Sequence, residues 1–408
     1  MSADEYNPLS PAALADPYPL YARAHRESPV FFSPRFNLWI VTRYEDIWVA
    51  LRDPATFSSA LSTTVGTTVP PEVEAVLAEG WGEISTLVTS DPPAHTRFRS
   101  LINKAFTPRR VAERTGRIQE IANELVGGFE AEGRIDLLLR FAHPLPMTVI
   151  AEILGVPHRD LDRFKRWSDD AVERLSAELP IERQIRCARS IVEFQHYFSE
   201  RLDEREREPR DDMLTDLLNA RIEGTAPLSR GEQLSILQQI LVAGNETTTN
   251  LIANMVVLLL ERPEAWRAVC AEPDRAGAAV EEALRMESPV QGLFRSTTRE
   301  VELGGVRIPA GAHLQLLYAA GNRDTAEFPE PAQFDLERAN ASSHLAFSGG
   351  AHFCLGASLA RLEGRIALQT LIARLPGLAL EPGKELIRAP HFFLRGFEHL
   401  WVRWEPAA

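Results

Sequence analysis

The run Phe347-Ser348-Gly349-Gly350-Ala351-His352-Phe353-Cys354-Leu355-Gly356 presents one cysteine from a glycine-punctuated loop and leads straight into a helical pattern, Ala357 to Ala367. Gly349 and Gly350 permit positive φ, so the backbone can turn sharply and approach a flat ligand closely. Backbone N–H groups in and after the loop can point at the sulfur. The helix N-terminus that follows adds partial positive charge, which lowers a thiol pKa. The expected product is a stabilised thiolate beside a glycine-lined space. Such a thiolate serves as nucleophile, zinc ligand or haem ligand. A nucleophile needs a base and an orienting group, and His352, two residues away in a tight loop, is poorly placed to face the sulfur. Zinc needs three or four donors, and the chain has no C-x-x-C pair. Haem iron needs one protein ligand, and a thiolate there favours O–O cleavage. A cysteine buried in a turn with no chemistry is the plain alternative.

Working outward, the nearest long element is a helix. Ser229-Arg230-Gly231-Glu232 reads as a capping box, and helical character continues to Arg262, where Pro263 stops it. At 1.5 Å per residue this spans roughly 50 Å, so the helix crosses the whole domain and must be largely buried. Its centre nevertheless reads Ala243-Gly244-Asn245-Glu246-Thr247-Thr248. Gly weakens a helix, and an acid beside hydroxyls is expensive in a core. The choices are a polar seam without chemistry or a set of groups in use. Two smaller patterns stand on either side. His95 and Arg99 are four apart and share a helix face, which suits an anion or a solvated basic surface. Glu282 and Arg285, at i and i+3, can pair, a common surface arrangement.

The pattern Phe-x-x-Gly-x-His-x-Cys-x-Gly resembles the haem-binding loop of the cytochrome P-450 family of haem-thiolate monooxygenases. Ser348 stands where that family usually has glycine, a departure that Gly349 is expected to absorb. The resemblance extends from about Asp16 to Trp404, because the other patterns occur in the family's order. It implies a mainly α-helical fold with small β-sheets, residues 1–408 forming a single domain. It implies heme b (iron protoporphyrin IX), with Cys354 as axial ligand, Phe347 packed beside it and Gly356 closing the loop. His95, Arg99, Arg295 and His352 would reach the propionates, while Ala243 and Gly244 leave room for haem and oxygen. Thr247 would hydrogen-bond dioxygen, and Glu246 would pass protons towards it. Glu282, Arg285 and Arg338 would form a buried network supporting the cysteine loop. Leu87, Val88, Ile240, Val290, Gln291, Leu293, Phe392 and Phe393 would line a pocket for a small to medium-sized apolar substrate, with Gln291 its conspicuous polar group.

The rest of the sequence bounds the partners. A net charge of −13 argues against nucleic acid. Three cysteines without framework spacing suggest a reducing cytoplasm, and Cys187 and Cys270 are taken as structural. The polar start and the lack of any long apolar run predict no membrane association. No dinucleotide or flavin fingerprint occurs, so the resemblance implies electrons from a ferredoxin and its ferredoxin reductase. Arg99, Lys104, Arg109, Arg110, Arg361 and Arg365 form a candidate docking patch for an acidic ferredoxin. Two rival readings stand: a peroxygenase using hydrogen peroxide, which the Glu246-Thr247 pair speaks against, and a non-catalytic haem-binding or carrier-recruiting protein. Locally, Val30–Phe32 with Leu38–Val41, and Val301–Leu303 with Val306–Ile308, read as hairpins. Thr42 with Glu45 reads as a capping box, 58–88 as a long loop with one short helix at Pro71 to Ala78, and Glu200 to Asp212 as a solvated turn. A helix is expected to end or restart at Pro144 and Pro146.

Overall fold

A computed structural model describes residues 6–63, 69–175, 179–222, 224 and 226–406. The expected long helix runs Arg230–Leu260, and its capping box is complete: Ser229 accepts from the Glu232 N–H while the Glu232 side chain accepts from the Ser229 N–H. Its second half, from Leu251 to Leu259, is continuously buried. The helices Pro144–Ile153, Leu161–Arg174, Ile181–Arg207, Ala276–Met286 and Ala357–Arg374 all pack against it. The largest apolar cluster runs from Leu87 to Trp404 and gathers around it.

Three small sheets sit outside this helical body. The five-stranded sheet has the order Val30–Ser33, Leu38–Val41, His313–Leu316, Leu293–Thr297, Phe57–Ser58. Its Leu38–Val41 and His313–Leu316 strands are parallel, and the other pairs antiparallel. Strand Trp401–Arg403 pairs with Arg134–Asp136 and Ala379–Leu380. The Val301–Leu303/Val306–Ile308 hairpin turns on Gly304 and Gly305, both at positive φ as a two-residue loop requires. Among the described residues no helix is long and apolar enough to cross a membrane.

Three local expectations need correction. Thr42 does not cap the next helix, Tyr44–Arg52; its hydroxyl donates to the Pro29 carbonyl, and Asp324 accepts from the Tyr44 N–H instead. The stretch 200–212 is not solvated turn throughout, because helix Ile181–Arg207 extends into it, burying Leu202 and Arg205, and leaves only 208–212 between helices. Arg205 is held there by Asp212 at 2.6 Å. Cys270 is exposed, unlike buried Cys187. The proline break restarts a helix as expected: Leu138–Ala142 forms a π turn, and Pro144–Ile153 begins directly after His143. The short helix is found at Pro71–Leu77, while 64–68 of the long loop lies outside the described residues.

Candidate active site

The cysteine loop is held from below. Arg285 makes a bidentate ion pair with Glu282, both bonds 2.7 Å and both side chains fully buried. Arg338 Nε adds a third bond to Glu282 at 3.0 Å. The remaining guanidinium hydrogens of both arginines go to carbonyls of Asn322, Pro329, Pro331 and Gln333, among others. Thus one carboxylate holds two arginines, and these hold the irregular segment 322–333; the residues read alone suggested a surface pair, and the buried network is the one the resemblance implies.

Gly350 takes the positive φ expected of it, 62°, but the close approach that Gly349 and Gly350 allow is to another helix rather than to a flat ligand. A Cβ on Gly349 would fall 2.5 Å from the Trp48 ring, and one on Gly350 would fall 2.3 Å from the Leu51 carbonyl. They let the loop press onto helix Tyr44–Arg52; at Gly356, by contrast, a Cβ would meet only open space. Gly349, at φ −160°, does not absorb the Ser348 departure. Ser348 itself takes φ 59° and ψ −157°, and its hydroxyl lies 3.0 Å from that of Tyr318.

Cys354 N–H donates to the Phe347 carbonyl at 2.9 Å, and the backbone N–H groups of Gly356 and Ala357 hydrogen-bond its sulfur. Arg99 and Arg361 add positive potential. Burial outweighs these contributions and raises the thiol pKa. The loop's dipoles act in the expected direction, but a stabilised thiolate needs a bound cation as well.

Cys354 faces a cavity of about 750 Å³, within the size range of ligand sites. Phe347, His352, Gly356, His95 and Arg99 line it on the cysteine side, and Ala243, Gly244, Glu246 and Thr247 from the long helix. His95 and His352 stack, their ring centroids 4.1 Å apart. Burial, Arg295, His95 and Arg99 together push His352 down to about 3, and its buried Nε2 has no partner. Burial and Arg99 likewise lower His95. Arg99 donates to the Phe353 carbonyl and buried Arg295 to the Phe294 carbonyl. His95, His352 and Arg99 thus converge on the cavity, with Arg295 behind the two histidines rather than on the lining, and Asp91, the acid nearest His95, is already bonded to Ser58 and Ser59. That set fits the carboxylates of a haem, and one sulfur facing a glycine-lined wall fits its iron.

Opposite, Thr247 Oγ1 donates to the Ala243 carbonyl at 2.5 Å. Glu246 is lifted by burial, and then by Asp169, to about 7. A further acid was missed by the sequence reading. Glu363, on the helix after the loop, is buried, lines the same cavity and is pushed by burial to about 8. A lone acid on the buried face of a helix was its one available signal.

Leu87, Val88, Ile240, Val290, Leu293 and Phe393 line the cavity. Gln291 and Phe392 do not. Gln291 is buried elsewhere, accepting from the Tyr21 hydroxyl and donating to the Ser288 carbonyl. Phe392 packs edge-on against Phe36. The docking patch is also less free than expected: Arg361 grips Glu281, Arg109 pairs with Glu113 and Arg110 with Asp216. The Lys104 side chain lies outside the described residues.

The family model described as Cytochrome P450 matches residues 178–381. Cytochrome P450 monooxygenase PikC of Streptomyces venezuelae is 39% identical over 96% of this chain and 91% of its own length. A vitamin D(3) 25-hydroxylase of Pseudonocardia autotrophica is 38% identical over 96% and 94%. The crystal structure of a Tepidiphilus thermophilus P450 heme domain superimposes with a TM-score of 0.94 at 34% identity, covering 99% of this chain and 98% of that one.

Proposed function

This chain belongs to the cytochrome P450 family of haem-containing monooxygenases, and from that premise we propose that it uses dioxygen to oxidise an apolar molecule, with Cys354 as the axial ligand of heme b. The observation that carries the reading is the shared cavity: Cys354 on one wall, and Glu246 with Thr247 on the other. Haem bound there supplies the redox chemistry, in which two electrons, two protons and dioxygen yield one inserted oxygen atom and one water. The chain's own groups do the rest. Arg99 and Arg295 would neutralise the carboxylates of the bound haem, and the neutral rings of His95 and His352 would donate hydrogen bonds to them. The Glu282–Arg285–Arg338 network keeps the sulfur in place. Thr247 spends its hydrogen on the Ala243 carbonyl, so Oγ1 offers lone pairs to a donor in the cavity. Glu246, near neutrality in its pKa, can both release and regain a proton at working pH. This acid–hydroxyl pair favours dioxygen over peroxide as oxidant.

The substrate is an apolar compound of small to medium size. The polar groups on the lining are mostly committed: Gln195 and Gln239 are spent on backbone groups of 81, 82, 86 and 88. Gln238 lines the cavity without a hydrogen-bond partner among the described residues and takes the place assigned to Gln291. Hydroxylation of a compound like the vitamin D(3) in the name of one relative is compatible with this lining. Electrons come from a ferredoxin and its reductase in the cytoplasm, and residues 1–408 act as one domain. An absorbance titration of the haem-loaded protein against sterols, fatty acids, terpenoids and macrolides tests the reading. A shift of the haem from low to high spin with one class is expected. Folded protein that takes up no haem would overturn it.

A further inference from the structure

Glu246 does not end at the cavity wall. On its far side His143 Nε2 lies 3.8 Å from Glu246 Oε1. The nearest ligating atoms of His143, Asp169 and Glu246 all fall within 4.8 Å of one another. Three elements meet here. His143 stands between the π turn Leu138–Ala142 and helix Pro144–Ile153, Asp169 lies on Leu161–Arg174, and Glu246 on Arg230–Leu260. Asp169 and Lys165 form the solvent-facing end, their side chains 44% and 46% exposed, while those of His143 and Glu246 are 13% and 21% exposed. Lys165 Nζ holds Asp169 Oδ2 at 2.6 Å at the outer end. Asn245 reaches from the long helix to Glu246 Oε1 at 3.5 Å and Ser168 Oγ at 3.3 Å. His143 Nε2 is itself buried and unpartnered, a cost that a structural histidine normally avoids by bonding.

We propose that Asp169 and His143 form the route by which solvent protons reach Glu246, with His143 the carrier between them. This rests on the monooxygenase reading, since only that reaction consumes protons at Glu246. A proton taken from water by the Asp169 carboxylate passes to Nε2 of neutral His143, giving imidazolium. The same nitrogen then releases it to the Glu246 carboxylate. His143 returns neutral, one proton has moved inward, and no electron has moved. Burial and Lys165 lower His143 to about 4 against the opposing pull of Asp169, while Glu246 stands at about 7. The final transfer therefore runs downhill toward the cavity. The ammonium of Lys165 on Asp169 makes the cluster a poor site for a metal cation.

The test is the exchange of the Glu246 carboxyl proton, read by infrared difference spectroscopy on resting haem-loaded protein at pH 6. The Glu246→Gln variant identifies the band. After rapid mixing into D2O the band shifts as O–H becomes O–D. Exchange at least tenfold slower in both His143→Gln and His143→Phe is expected, with circular dichroism unchanged. Wild-type exchange in either folded variant overturns the relay, as does the absence of any protonated Glu246 band. His143→Gln preserves polarity and size, so slowing confined to His143→Phe would assign the effect to packing and also overturn it. No substrate or electron supply enters this measurement. Its failure in protein with a normal haem-thiolate spectrum sinks the relay alone, whereas loss of that spectrum sinks the earlier reading.

Discussion

Ser348 shows how a single residue departs from its family pattern and what that costs. Its φ of 59° with ψ −157° belongs to a region that glycine alone enters freely. The Tyr318 hydroxyl at 3.0 Å offsets part of the strain. At an ordinary position alanine is more stabilising than glycine, yet here Ser348→Gly should exceed Ser348→Ala by about 1–3 kcal/mol, visible as a higher melting temperature. Equal melting temperatures would mean the strain is absent. Glu363 gives a pH signature. Its folded pKa, about 8, lies above the ordinary 4.5. Its burial therefore costs nothing below about pH 4.5, costs progressively more up to pH 8, and is constant beyond. Glu363→Gln should match wild type in stability at pH 5 and exceed it by a few kcal/mol at pH 8.5, at about 1.4 kcal/mol per unit. Melting curves at the two pH values check this; a gap that is no wider at pH 8.5 would contradict it. At this scale the cysteine loop stood out by its glycines and spacing, whereas the roles of His95, Arg99, Arg295 and His352 came from the family resemblance alone. Gln291 and Phe392 were misread because sequence marks a segment as near the cavity without giving which way each side chain turns.

Among elements, the Glu282–Arg285–Arg338 network ties helix Ala276–Met286 to the irregular segment that precedes the cysteine loop, and we propose that it positions the loop. Removing its single acid leaves two buried guanidinium groups uncompensated, which costs about 3–5 kcal/mol. Glu282→Gln should lose haem on gel filtration and melt well below wild type. Retention of haem at the wild-type melting temperature would show that the pair does not support the loop. The long helix was legible end to end, because its cap is encoded in four adjacent residues and its stop in Pro263. The start of Tyr44–Arg52 was not, because its cap comes from Asp324, far along the chain. Likewise Gly349 and Gly350 were read as room for a ligand, while the close neighbour that requires them is a helix about 300 residues earlier.

For the whole molecule, chain connectivity argues for one cooperative unit. Strand Leu38–Val41 pairs with His313–Leu316, and Arg134–Asp136 with Trp401–Arg403. The largest apolar cluster draws on residues from Leu87 to Trp404. Separate expression of 1–178 and 179–408 should give two unfolded fragments by circular dichroism, and a folded fragment would refute the single-domain reading. The order of motifs made the fold class legible at this scale. The inward proton route was not, since His143, Asp169 and Glu246 lie far apart in sequence and are joined only by the packing of three helical elements. The central claim is that Cys354 ligates haem iron as a thiolate. It is tested most directly by the carbon monoxide difference spectrum of the reduced, haem-loaded protein. A strongly red-shifted Soret band, lost in a folded, haem-retaining Cys354→His variant, is predicted. Survival of that band in the variant, or a wild-type band of the histidine-ligated kind, would contradict it.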